Sequence, residues 1–134
     1  MTRKEARSRC PIATSLDIFG DRWSLLVVRD LMFTDRRTYG EFLAAGEGMA
    51  TNVLAQRLEH LDCAGIIART IDPTDGRRAM YRLTPKGMDL APMLLEMVVW
   101  AAAHEETDAP PKLVAAMKRD RKRFIAGLRK VHGE

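Results

Sequence analysis

Residues 50–84 read ATNVLAQRLEHLDCAGIIARTIDPTDGRRAMYRLT, and their pattern decides the fold. Over residues 50–64, Val53, Leu54, Leu58 and Leu61 fall on one helical stripe, with Asn52, Gln56, Arg57, Glu59 and His60 opposite. Gly65 can end that helix, because the position past a C-cap favours a left-handed backbone. Ile66–Asp72 and Arg78–Thr84 then read as two strands, with Asp75-Gly76 as the tight-turn signal between them. Arg77 and Arg78 stand beside the tip. A hairpin serving only a core needs no such pair of guanidinium groups.

On the N-terminal side, Pro11 can open a helix that runs through Ile12, Leu16 and Phe19 and stops at Gly20. RWSLLVVRDLMF, residues 22–33, forms a second helix with Trp23, Leu26, Val27, Leu31 and Phe33 inward. Thr38 starts a short third helix through Tyr39, Phe42 and Leu43, and Gly46 and Gly48 break it. On the C-terminal side, Thr84-Pro85 is an N-cap followed by proline at the first helical position. A long helix is expected to about Glu106. Its stretch MLLEMVVWAAA is apolar nearly all round, so one side is expected to meet a second subunit. Asp108–Pro111 is a linker, and residues 112–131 form a last helix, amphipathic through Leu113, Val114, Met117, Phe124, Ile125, Leu128 and Val131.

The chain has 134 residues, enough for one core, and its net charge is +4. The charge is uneven. Residues 1–109 hold 14 Lys/Arg and 16 Asp/Glu, a net −2; residues 110–134 hold 8 and 2, a net +6. Cys10 and Cys63 are far apart, and the polar residues 1–9, expected to be frayed, are followed by no signal-type apolar region. A reducing cytoplasm is the expectation. The apolar runs are too short to span a bilayer, and Glu96 interrupts the best of them. His60, His104 and His132 are scattered without ligand spacing, so no metal is expected. No nucleophile elbow, phosphate loop or dinucleotide fingerprint occurs, which argues against an enzyme and against a cofactor. Asp17, Asp21 and Asp30 read as helix-surface or capping residues, and Trp23, Phe42, Tyr81 and Trp100 as core.

Short helix, break, polar-faced helix and hairpin, in that order, is the winged helix-turn-helix plan. The expected fold is mainly α with a small β-hairpin. The blocks CPIATSLDIFGDRWSLLVVRDLMF, RTYGEF, NVLAQRLEHLDCAGII and YRLTPKG strongly resemble the HxlR-type transcription regulators, relatives of the MarR-like winged-helix group. The resemblance runs from about Cys10 to His104. It implies a dimeric bacterial DNA-binding regulator with a winged helix in each subunit. Two departures stand out. Where the family commonly has Ser or Thr and then Pro before the fourth helix, this chain has Ala50 and Thr51, so Thr51 is the expected cap. Where the family often has Thr inside NVLxQRL, this chain has Ala55, and one hydroxyl contact is lost.

The fourth helix is therefore the candidate recognition helix. Thr51, Asn52, Gln56 and Arg57 offer donors and acceptors suited to base edges; the plain alternative is a solvated polar face. Arg77 and Arg78 suit phosphate or a narrow minor groove, with Asp75 opposing them or orienting one of them. Arg36, Arg37 and Thr38, with the start of the third helix, form a second phosphate candidate, against the alternative of a simple basic loop. Cys10, beside Arg7 and Arg9 at a helix start, is a reactive-thiol candidate, as at this place in some regulators of HxlR type; the alternative is a small packing residue. Cys63 reads as structural. The expected partners are double-stranded DNA with an inverted repeat, a second copy of the chain, and an oxidant or small-molecule effector. The rival reading is a winged helix used for protein contacts. Residues 1–109 are expected to form the winged-helix domain with its dimerisation helices. Residues 110–134 are expected as a basic helix packed on that domain or on its dimer partner. KRDRKR, residues 118–123, invites a DNA clamp, but the apolar stripe beside it must be covered, which leaves the basic face in water.

Overall fold

Side chains that alternate between helical and strand periods build the expected order of elements, and the computed structural model describes it for residues 8–133. The described residues divide at the Thr84–Pro85 bond into two compact units. The expected frayed start falls mostly outside the described residues.

In the first unit, α1 spans Pro11–Phe19 and α2 Ser24–Phe33. The second helix starts later than expected because Asp21 turns the chain. Its carboxylate accepts the N–H groups of Trp23 and Ser24, both at 2.8 Å, and the Ser24 hydroxyl at 2.6 Å. Next, α3 spans Tyr39–Leu43 and α4 Thr51–Cys63. Thr38 caps α3 in a capping box with Glu41, as a Thr-x-x-Glu start favours. Gly46 and Gly48, both at positive φ, carry the turn between α3 and α4. The cap of α4 is Ala50, not Thr51, and no side chain serves it.

The hairpin pairs β1, Ile67–Asp72, with β2, Asp75–Leu83, antiparallel from Ile67 opposite Leu83 to Ile71 opposite Ala79. The turn is at Pro73-Thr74, not at Asp75-Gly76. Asp72 accepts the Thr74 N–H at 2.8 Å and its hydroxyl at 2.7 Å, closing an Asx-type turn before the Asp-Gly pair is reached. Asp72 then sits opposite Asp75, and the register shifts after Ile71. The hairpin is also held at its base. The Tyr81 N–H donates to the Arg37 carbonyl at 2.8 Å, and Thr38 bridges Met80. The core of the unit joins Val28 and Leu31 of α2, Leu54 and Leu61 of α4, and Ile66 and Ile67, all within 2% of full burial.

In the second unit the expected long helix is two pieces: α5, Pro85–Met88, and α6, Ala91–His104. Pro92 lies in the first turn of α6, where its missing N–H costs nothing, and a continuous helix through it would lose a hydrogen bond. The expected last helix is also two: α7, Pro111–Arg119, and α8, Arg121–Val131. Asp120 breaks it and caps α8, accepting the Arg123 N–H at 3.1 Å. Met117 is buried, and Val114, Phe124, Ile125 and Leu128 are half-buried. Arg121 pairs with Glu96, and Arg129 with Asp89 at 2.8 Å. Trp100, read as core, is 60% exposed and lies against His104 with the rings tilted by 43°.

Candidate nucleic-acid interface

The geometry starts with the placing of α4. The Tyr39 hydroxyl donates to the Thr51 carbonyl at 2.7 Å, tying α3 to the first turn of α4. Leu54, Leu58 and Leu61 turn α4 onto the core. Gly65, at φ 77°, ends it, and its N–H returns to the Asp62 carbonyl. These anchors leave Thr51, Asn52, Ala55, Gln56 and Glu59 exposed on one side. The first turn holds no acidic residue and no capping side chain, so its N–H groups face outward with the positive end of the helix dipole.

Arg57 and His60 do not share that outer face. The Arg57 guanidinium pairs with Asp21 at 3.2 Å, and His60 Nε2 lies 2.6 Å from the Ile18 carbonyl. Burial pushes the Asp21 pKa up. The Ser24 hydroxyl and N–H, the Trp23 N–H and Arg57 outweigh it, and the carboxyl stays below its ordinary value. Asp21 thus joins the start of α2 to the middle of α4. Sequence reasoning saw it as a cap but had no signal for its reach to Arg57, 36 residues away.

The two wing arginines divide. Arg78 donates to Asp72 Oδ2 from Nε at 2.8 Å and Nη2 at 2.5 Å. The N–H and hydroxyl of Thr74, with Arg78, hold the Asp72 carboxyl at about 2. A depressed carboxyl contributes stability above its unfolded value and loses it as pH falls through its folded one. The clip is therefore complete at neutral pH; its contribution to stability begins to fall below about pH 4 and is lost as pH passes through about 2. Arg77 has its side chain 96% exposed, with Asp75 3.7 Å from Nε. Asp72 is a residue that the sequence reading missed; its signal is the Asp-Pro-Thr order, which favours a side-chain-closed turn.

The second basic group is largely engaged. Arg36 pairs with buried Asp30 at 3.2 Å. Arg37 donates to the carbonyls of Thr34 at 2.9 Å and Arg36 at 2.6 Å. Thr38 is 6% exposed, with its hydroxyl in the capping box.

In the single chain Cys10 is exposed at the N-cap of α1, and Cys63 is exposed too. The N–H groups of Ala13 and Ile12 favour the Cys10 thiolate and lower its pKa. Arg7 lies outside the described residues. Among the described residues no cluster could hold a metal, and no helix is long and apolar enough to cross a membrane.

A short helix, a turn, a core-anchored helix with a polar outer face, and a clipped hairpin define a winged helix-turn-helix of the transcription-regulator class. Comparison with known proteins makes this specific: residues 18–109 match the HxlR-like helix-turn-helix family, and the chain belongs to it. An uncharacterized HTH-type transcriptional regulator of Synechocystis sp., sll1512, is 40% identical over 88 residues, 66% of this chain and 64% of that protein. YvaP of Bacillus subtilis, of the same description, is 37% identical over 93 residues, 69% of this chain and 85% of YvaP. Among solved structures, PA1607 matches with TM-score 0.68 and 36% identity, covering 78% of this chain and 71% of PA1607. The reduced transcriptional regulator YodB from B. subtilis matches with TM-score 0.59 and 28% identity over 72% of this chain and 95% of YodB. YodB has also been solved bound to quinone.

Proposed function

We propose that the protein is a homodimeric, sequence-specific regulator of transcription that binds duplex DNA at an inverted repeat. Repression by covering a promoter is the simplest output of such binding. The observation that carries this reading is the outer face of α4. Asn52 and Gln56 are exposed on its first two turns, above an uncapped helix start. An α-helix fits the major groove, Asn and Gln can bond adenine bidentately, and a phosphate can take the place of the missing cap. Glu59 and Asp62, farther along, would be repelled by phosphate, so base reading belongs to the N-terminal half. Arg77 meets the backbone or the minor groove. Arg57 and Arg78 act as positioning residues, because Asp21 and Asp72 hold them. Arg36 and Arg37 keep spare donors for phosphate beyond their internal bonds.

Alanine at Arg77 should weaken binding to all duplexes and flatten the salt slope by up to about one unit. Alanine at Asn52 or Gln56 should cost on the order of 1–3 kcal/mol at the preferred site and little elsewhere. Titrations of preferred and scrambled duplexes at several salt concentrations separate the two. Parent protein that binds no duplex in a salt-dependent way would leave the protein-contact reading instead.

A second layer, control by a thiol-reactive effector, is favoured by one observation: Cys10 is exposed at a helix start that lowers its pKa. Its alkylation rate should therefore titrate below the usual thiol value of about 8.5. Oxidant should lower DNA affinity in the parent and not in Cys10→Ser. An unshifted rate profile, or the same oxidant response in both proteins, would remove Cys10 from regulation.

A further inference from the structure

We propose that the corner between α7 and α8 is a second, sequence-independent contact for the DNA sugar–phosphate backbone. This rests on the DNA-binding reading above. Asp120, at φ −146° and ψ 82°, ends α7 and caps α8, so the chain turns in the middle of KRDRKR. Lys118, Arg119, Lys122 and Arg123 are all exposed around that turn. Among the described residues, Arg121 and Arg129 form ion pairs with Glu96 and Asp89, whereas none of these four has an ion-pair partner. Arg119, Arg123 and Asp120 line a shallow groove with Ala116 and Phe124. Its one carboxylate is turned to the Arg123 N–H.

The apolar stripe no longer accounts for the whole segment. Met117 is buried and Ile125 and Leu128 are half-buried within the described structure, so packing takes up most of the stripe, while half-buried Phe124 also borders the basic groove. The cations are also segregated. Residues 110–134 hold 8 Lys/Arg and 2 Asp/Glu, a net +6; residues 85–109 hold 1 and 5, a net −4. Four neighbouring cations without internal partners repel one another and release counterions when they meet a polyanion. A membrane surface fits less well. It needs exposed apolar side chains beside the charges. The exposed large ones here, Leu113 and Val131, lie at the far ends of the two helices, and Phe124, which borders the groove, is half-buried. Duplex DNA supplies regularly spaced phosphates and asks for no apolar partner.

The test is the full-length variant Lys118→Gln/Arg119→Gln/Lys122→Gln/Arg123→Gln, with Lys122→Gln/Arg123→Gln beside it. Binding to the preferred duplex and to a scrambled duplex is measured from about 50 to 300 mM salt, with sedimentation at the same concentrations. The salt slope should fall by roughly 2–4 units in the fourfold variant and by about half as much in the double variant. Affinity should fall equally on both duplexes, at unchanged oligomeric state. An unchanged slope with an intact dimer would overturn the proposal and return the corner to a solvated face. Loss of the dimer would make it a protein contact, and parent binding to phosphatidylserine vesicles but weakly to scrambled duplex would make it a membrane contact. If the parent bound no duplex, the regulator reading itself would fail, whatever the variants did.

Discussion

For the proposed homodimer, Trp100→Glu is expected to leave the fold intact, make the protein monomeric, and lower affinity for the proposed inverted-repeat duplex by about 10²–10⁴-fold. Trp100 is 60% exposed on α6, and Met97 beside it is 48% exposed. In α1, Ile12 and Leu16 are 72% and 58% exposed. Large apolar side chains left open on helices are what a second copy of the chain would cover. A carboxylate in place of the indole loses that burial and faces desolvation in the contact, which it avoids by staying monomeric. Each half-site is then bound separately, and the gain from linking two sites disappears. Single half-site affinity should hardly change, since the outer face of α4 is untouched. Sedimentation and titrations against full and half sites check this. A Trp100→Glu protein that stayed dimeric with full affinity would exclude this face of α6 from the subunit contact.

Leu61→Ala is expected to destabilise the first unit by about 2–5 kcal/mol, a large share of the roughly 5–15 kcal/mol that holds a domain folded. Leu61 is fully buried, in the last turn of α4. Truncation removes three carbons and leaves a cavity that the Gly65 turn and the strand beyond it restrict from closing. The urea midpoint should fall with little change in slope, and DNA affinity should follow the folded fraction. Leu61→Met, nearly isosteric, should cost less than about 1.5 kcal/mol. Comparable losses for both would mean that the site tolerates no change of shape.

The fold was legible where apolar spacing and strong punctuation coincide. Gly20, Thr38 and Gly65 end or start helices as their chemistry dictates, and the stripe of α4 fixes which side meets the core. The misreadings come from competing local signals. Asp75-Gly76 is a strong turn pair, but Asp72 closes the turn first with bonds from Thr74 and Arg78. Pro92 was visible, yet the apolar run around it hid the break. Asp120 was hidden inside a run of cations, although an Asp followed by helix formers is also a cap. For the candidate interface, sequence gave the polar character of Asn52, Gln56 and Arg77. It could not show that Arg57 and Arg78 are held by carboxylates, since a side chain's partner is set by three-dimensional neighbours. Nor could it show that Trp100 is open in a single chain.

The link between Arg37 and Tyr81 also bears on how the protein reaches its native state. Each of the helices α1 to α4 can form from contacts close along the chain, and β1–β2 closes through a two-residue turn. The Arg57–Asp21 and His60–Ile18 ties that assemble the helices, however, span 36 and 42 residues. The Tyr81-to-Arg37 bond and the Thr38–Met80 bridge likewise join chain positions some forty residues apart, across both helices of the motif. Such a closure carries the entropy of a long loop and gains little until that loop is already ordered. The hairpin base is therefore expected to dock late, together with the other long closures and after the single helices and the ribbon have formed. Once docked, it seals the beginning and end of the motif into one cooperative body. A wing loosened from Arg37 is still anchored by buried Ile67 and Leu83, so it is the ribbon beyond them, marginal in water by itself, that would loosen.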